Sequence, residues 1–289
     1  MSDVPPDYSM VYCDCAFSQP GGHSVPVGKM AEEGFSAQYL RSACALLQQD
    51  GIDATIVDLV AEAVDKGTTS EWLCDLQGDT VVLVIRNGAN ALTKDPQMAD
   101  KMLAEHQGLE YDTTTFLRKK VCVARSRRNL HFADKGRPVD MANGQNTVVP
   151  WSSVPANAEC HRVLTELLGT TDVKSAVANY YPDPANCGIG WHGDAERRQT
   201  IMVRLGAGSD VRPIYFLWCE RGEGIAAPIA INLRHGDVMV PCAKAVGTDY
   251  RTQVRPTVRH GTGNPNGKSV LLQPPAVARP PKKRQRESA

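Results

Sequence analysis

The sequence predicts an α+β protein: a strand-rich core of the sandwich or jelly-roll kind, flanking helices and a helical N-terminal extension. Three observations predict it. Short strand-like runs crowd the second half, as VKSAVANYYP, GIGWH, QTIMVRLGA, PIYFLWCE, IAINLRHGDVMVP and PTVRHG, parted by Gly, Pro and Asp. Apolar residues at helical spacing mark the first half and the segment just before those runs. Between them, DTVVLVIRNGA reads as a buried strand, a β-branched run closed by Asn-Gly.

Residues 1 to about 28 carry Pro, Gly and Ser and read as irregular chain. From Glu32 to Gln49, Phe35, Tyr39, Ala43, Leu46 and Leu47 fall at helical spacing, and Ile56, Leu59, Val60, Ala63 and Val64 continue it before Gly67. The expected organisation is a helical extension over 1–70, a main domain over 71–276 and a disordered basic tail over 277–289. Within the main domain, Asp95-Pro96 opens a helix that Met98, Met102 and Leu103 make amphipathic, ending near Gly108. PANAECHRVLTELLG is a second helix, with Leu164, Leu167 and Leu168 on one side and Gly169 as its stop.

Composition narrows the function classes. Of 289 residues, 42% are hydrophobic and 22% charged, as in ordinary soluble domains. No run approaches the roughly 18 apolar residues of a membrane span, and MSDVPPDYSM is not a signal peptide, so an intracellular protein is expected. Cys44, Cys122, Cys160, Cys219 and Cys242 sit in apolar or periodic stretches, where reduced thiols pack as small hydrophobes. Cys13 and Cys15 lack a second nearby pair for a zinc site. The formal net charge is zero, which weakens a global electrostatic case for nucleic acid. A local case stands in LRKKVCVARSRRN, where Arg118, Lys119, Lys120, Arg125, Arg127 and Arg128 can track phosphates or form a solvated surface strand. Trp151 and Tyr180 can stack a flipped base or sit in the core. The tail RPPKKRQRESA holds PKKRQR, which reads as a nuclear localisation signal (nuclear, or else cytoplasmic, residence) or as a solubilising end.

The tripeptide HGD occurs at His192–Asp194 and again at His235–Asp237. A His-X-Asp on a strand sends both side chains to one face, so an imidazole and a carboxylate can take adjacent positions on one ion. A further histidine completes the facial set of open-site ferrous enzymes. The second copy lies between INLR and VMVP, where strand, tight turn, strand is the simplest reading and Asp237 is a turn former. The first copy follows a Gly-flanked strand, and His260 in PTVRHGTG stands downstream at the end of a late strand. His23, His106, His131 and His161 fall in loops or helices.

The ordered set NYYPD, GIGWHGDAE, RLGA, YF and HGDVMV resembles the AlkB-like branch of the iron(II)/2-oxoglutarate dioxygenases over about residues 79 to 275. KAVGTDYRTQVRPTVRHGTG is similar to a run in poorly characterised protist and large-virus relatives, and points to His260 as the distal ligand. The resemblance implies a double-stranded β-helix (jelly roll) core, with Fe(II), 2-oxoglutarate and O2 as cofactor and co-substrates. It assigns His192, Asp194 and His260 to the metal, and Asn179 and Tyr181 to 2-oxoglutarate. Glu196 matches a position that meets the target base, and Arg127 and Arg128 fall where relatives carry their nucleotide-recognition lid. Where the family has an Arg-X-Asn-X-Thr-Phe-Arg strand, this chain reads GKSVLLQPP, so Lys268 and Arg259 become the candidate co-substrate anchors, with Arg255 and Arg204 as neighbours. The implied activity is hydroxylation or demethylation of a nucleic-acid base, in DNA or RNA. Two alternatives stand beside it: an oxygenase of a protein side chain or small molecule, and a non-catalytic binder on the same fold.

Overall fold

The computed structural model of the chain describes residues 5–15, 34–67, 73, 78–117, 120–194, 197–206, 212–249, 255–264 and 268–273. They form a mixed α/β structure, rich in strands, with few helices and two large sheets that are antiparallel except for one parallel edge pair, Arg128–Ala133 with Val148–Pro150. In chain order come β1 (Asp7–Cys13), α1 (Ala37–Gln49), β2 (Ala54–Asp58), α2 (Leu59–Asp65), β3 (Val81–Ile85), α3 (Gly88–Thr93) and α4 (Met98–Gln107). A hairpin of β4 (Thr114–Leu117) and β5 (Lys120–Val123) follows, then β6 (Arg128–Ala133), β7 (Val148–Pro150) and α5 (Pro155–Leu167). The last part holds β8 (Ser175–Tyr181), β9 (Gly188–His192), β10 (Thr200–Gly206), β11 (Ile214–Glu220), β12 (Glu223–Gly224), β13 (Ile229–Ile231), β14 (Val238–Pro241), α6 (Ala243–Val246) and β15 (Thr257–Gly263).

The larger sheet runs β2-β3-β14-β10-β1-β8-β6-β7, and the smaller runs β12-β11-β15-β9 with β13 paired to β11. From β8 onward the chain alternates between them: β8 large, β9 small, β10 large, β11 and β13 small, β14 large, β15 small. β1 lies between β10 and β8, paired along all seven residues on both sides.

This position of β1 corrects the expected helical extension over the first 70 residues. The Pro- and Gly-rich chain around DYSMVYC hides a period-2 pattern: Asp7, Ser9, Val11 and Cys13 face one way, Tyr8, Met10 and Tyr12 the other. The stretch from Ile56 to Val64 is divided too. Thr55, Ile56 and Val57 are β-branched and pair with β3. The helix begins only at Leu59, where the Asp58 carboxylate accepts the Val60 and Ala61 N–H groups at 3.0 and 3.1 Å. The α1 helix is as expected, capped by Ser36. So are β3, buried at every position, and the α4 and α5 helices.

Helices α4 and α5 cover the outer face of the larger sheet. Met98, Met102, Cys160 and Leu164 are buried there with Tyr8, Met10 and Tyr12. Each such side chain contributes roughly 1.5–3 kcal/mol by leaving water. Polar atoms in this layer are paired: Glu105 takes the Asn157 amide at 2.7 Å, Asn157 Oδ1 lies 3.0 Å from His106 Nε2, and Tyr111 Oη lies 2.8 Å from His106 Nδ1. Burial lowers His106 from its ordinary pKa to about 4, so the ring is neutral.

The second HGD is the turn its sequence suggested. Gly236 has φ of 82°, in the left-handed region glycine tolerates. Asp237 is buried, and its carboxylate accepts Arg86 at 2.6 Å and the N–H groups of Asn87 and Arg234. The segment GKSVLLQPP, expected as a strand, instead holds a short 3-10 turn at Val270–Leu272 with Ser269 as its cap. The eight described cysteines are all free thiols. Among the described residues no helix is long and apolar enough to cross a membrane.

Candidate metal centre

β9 and β15 are antiparallel neighbours, and their register sets His192 directly opposite His260. A bulge after His260 shifts the ladder before Thr262. Close approach of the two strands depends on glycine: a Cβ on Gly188 would lie 2.1 Å from the Thr262 carbonyl oxygen. β9 ends at His192, so Asp194 comes from the following turn rather than from the strand. Its N–H donates to the Val246 carbonyl of α6 at 3.2 Å.

These three side chains form the one group of potential metal ligands among the described residues, with one ligand atom from each within 4.8 Å of the others. His192 Nε2 lies 3.7 Å from one Asp194 oxygen and His260 Nε2 3.9 Å from the other. At metal–ligand distances of about 2.1 Å, adjacent ligands stand about 3 Å apart, so closure needs about 1 Å of movement. His192 Nδ1 donates to the Gly190 carbonyl at 2.8 Å, which leaves Nε2 as the lone-pair nitrogen. Two imidazoles and a carboxylate are a donor set able to hold a divalent transition metal.

Charge agrees with that use. Burial pushes His260 down to about 3, helped by His192 beside it, and burial also lowers His192. Both rings are therefore neutral and able to ligate at pH 7. Burial pushes the Asp194 carboxyl up, but Arg197 and the two imidazoles outweigh it and hold the group below the usual carboxylate range. Arg197 donates to Asp194 at 3.1 Å and to the Cys15 carbonyl at 3.0 Å.

The cluster opens into a cavity of about 360 Å³ between the two sheets. Its metal end holds Arg127 and Arg197. At another end lie Ser9, Tyr181 and Thr262, with a buried charge cluster behind them. Asp7, Arg204 and Arg212 are fully buried there. Arg212 donates to Asp7 from Nε at 2.9 Å, also pairs with it through Nη2, and covers the Tyr181 ring with its guanidinium carbon 3.4 Å from the centroid. Arg204 reaches Asp7 at 3.2 Å and Ser9 Oγ at 3.0 Å.

Of the residues singled out by sequence, His192, Asp194, His260, Asn179, Tyr181 and Arg127 line this one cavity. Arg127 was expected to track phosphates; it points inward and donates to Asn179 Oδ1 at 2.7 Å. Arg128 is one residue on, hence on the opposite face, with its guanidinium 5.8 Å from the Tyr180 ring. Tyr180 stacks on Tyr8, and Trp151 on His161, in the helix-covered layer, so neither lines the cavity. Arg259 is buried and adjacent to His260 on β15, hence turned to the other face, and Lys268 is exposed; neither lines the cavity. Glu196, Arg118, Lys119 and the 277–289 tail lie outside the described residues. Sequence reading missed Arg197, Arg212, Asp7 and Ser9. For Asp7 and Ser9 the alternation of DYSMVYC was the available signal.

The fold and the cluster define a strand-rich α/β protein with a candidate His-Asp-His metal centre between two sheets. No family model matches the chain. It is 28% identical over 268 residues to an uncharacterized protein of Acanthamoeba polyphaga mimivirus, a similarity that covers 91% of this chain and 98% of that one.

Proposed function

We propose that the protein is an iron(II)/2-oxoglutarate-dependent dioxygenase that hydroxylates or demethylates a nucleic-acid base. The convergence of His192, Asp194 and His260 at the wall of a cavity carries this reading. Strand order supports a jelly roll in which β1, from the N-terminus, takes the place usually filled by the last strand of the chain. Such an exchange accounts for the described residues after β15 holding no arginine-bearing strand.

The cavity suits a dianion. Two arginines (Arg127 and Arg197) stand against one carboxylate (Asp194) at the metal end, and two (Arg204 and Arg212) against one (Asp7) behind Ser9. Each end carries one positive charge in excess, before any metal is counted. A keto acid with two carboxylates complements both ends. Ser9 Oγ accepts from both Arg204 and Arg212, at 3.0 and 3.4 Å, so its own hydroxyl hydrogen is left to donate toward a carboxylate.

Fe(II) in this site supplies activation of O2 coupled to oxidative decarboxylation of the keto acid and hydroxylation of a substrate C–H bond. The chain orients the donors through Gly190 and Arg197 and neutralises the carboxylates. Support for a nucleic-acid substrate comes from Lys120 and Arg125, exposed on and just after the hairpin whose Thr115 lines the cavity. The test is succinate formation with Fe(II) and 2-oxoglutarate, with and without oligonucleotide. Iron-dependent succinate, raised by oligonucleotide and absent in His260→Ala, is expected. No succinate under any of these conditions would refute the activity, and succinate indifferent to oligonucleotide would refute the substrate.

A further inference from the structure

A wall of the cavity that begins beside Arg127 is lined by Thr115, Asn129, His131 and Asn146. Two of these amides have orientations fixed by their neighbours. Arg127 can only donate, and it gives to Asn179 Oδ1 at 2.7 Å. Asn129 contacts that same oxygen at 2.7 Å, so it does so through Nδ2, and its Oδ1 is left for the cavity. Independently, Asn146 Nδ2 donates to the Asp112 carboxylate at 2.9 Å, which accepts only; Asn146 Oδ1 is therefore turned outward. Asp112 joins the two: its N–H donates to the Asn129 carbonyl at 3.3 Å, and its carboxylate also accepts Thr147 N–H and Oγ1 at 2.9 and 2.7 Å.

The result is two amide oxygens with no donor among the described residues, backed by a carboxylate. Apolar side chains flank the space on both sides: Val11, Val177, Met202 and Met239 from the larger sheet, Ile189 and Phe216 from the smaller. Packed sheets stand about 10 Å apart, so what fits between them is flat.

We propose that Asn129 and Asn146 form an acceptor pair that selects a flat ring bearing an amino group over the same ring bearing a carbonyl there. An amino group carries two hydrogens to donate to such oxygens. A carbonyl places a third acceptor against them and leaves the two amide oxygens without the donor that the amino group brings. The proposal rests on the oxygenase reading only in taking the ring to be a base; the acceptor pair itself is independent of metal.

The experiment is equilibrium binding of cytidine and uridine, which differ in this one substituent, to the metal-free full chain. Adenosine against inosine repeats the comparison on a larger ring. Cytidine is expected to bind on the order of tenfold tighter than uridine. In Asn146→Ala, a loop variant, and in Asn129→Ala that ratio should fall toward one; should Asn129→Ala not fold, Asn146→Ala alone decides. Equal affinities, a preference for uridine, a ratio unchanged in the variants, or no binding of either nucleoside at millimolar concentration would overturn the proposal. Binding needs no turnover, so amino selectivity in a protein that makes no succinate would sink the oxygenase reading and leave this one standing. Turnover without selectivity would do the reverse.

Discussion

Replacing Asp7 by Asn removes one charge and almost no volume from the most buried ion cluster of the protein. Asp7, Arg204 and Arg212 have no solvent exposure. The carboxylate is the sole anion among these three groups and is engaged by both guanidiniums. Burial, with Arg212 beside it, already lowers Arg204 to about 10, so it is still cationic at neutral pH. The variant leaves two buried cations facing each other without a counter-ion. Breaking a buried pair by removing one partner costs about 3–5 kcal/mol. For a chain of this size the thermal midpoint should fall by on the order of 10 °C. Urea denaturation at pH 7 measures the loss directly. Arg162→Ala is the control, because its pairs with Glu159 and Glu166 are exposed and worth well under 1 kcal/mol. An Asp7→Asn variant within 1 kcal/mol of the parent would show that β1 does not neutralise the arginines, and the account of the cavity's charge would fail with it.

Two further outcomes are expected. His106 is neutral in the fold with its pKa near 4, against about 6.5 in the unfolded chain. The unfolded state then binds the extra proton between those values. Its contribution is intact above about pH 6.5 and lost as pH falls toward 4, by about 3 kcal/mol. Urea midpoints from pH 7.5 to 4 should drop less steeply in His106→Gln than in the parent; parallel curves would contradict this. Asp237→Ala should cost about 2–4 kcal/mol of stability, since its carboxylate satisfies Arg86 and two backbone N–H groups, yet leave metal stoichiometry unchanged. Loss of the metal in a folded Asp237→Ala protein would mean that the second HGD, and not the first, holds the ion.

Where a residue's neighbours in sequence are also its neighbours in space, its role was legible. The buried run of β3 and the apolar stripes of α4 and α5 were read directly. His192, Asp194 and His260 were found because residue type restricts metal ligands more than topology does. The first 70 residues misled because Ile56, Leu59, Val60 and Ala63 satisfy helical spacing across a strand–helix junction. Arg127 was grouped with its charged neighbours because a run of like charges looks like one surface, whereas alternation places it with Asn129 and His131, not with Arg128. Lys268 and Arg259 followed from assuming that the chain after His260 supplies the neighbouring strand. The strand between β8 and β10 is β1, whose paired residues lie 162 to 199 positions away in the chain (Cys13 with Ser175, Asp7 with Gly206), and no local pattern announces a pairing at such separation.

The most direct measurement is anaerobic Fe(II) titration of the parent, His260→Ala and His235→Ala, with each variant checked for fold. The parent and His235→Ala should bind a single ion per chain and His260→Ala none, because His260 faces His192 and Asp194 while His235 pairs with Asp100 at the surface. Full binding by His260→Ala, or no binding by the parent, would contradict the metal centre on which the proposed function stands.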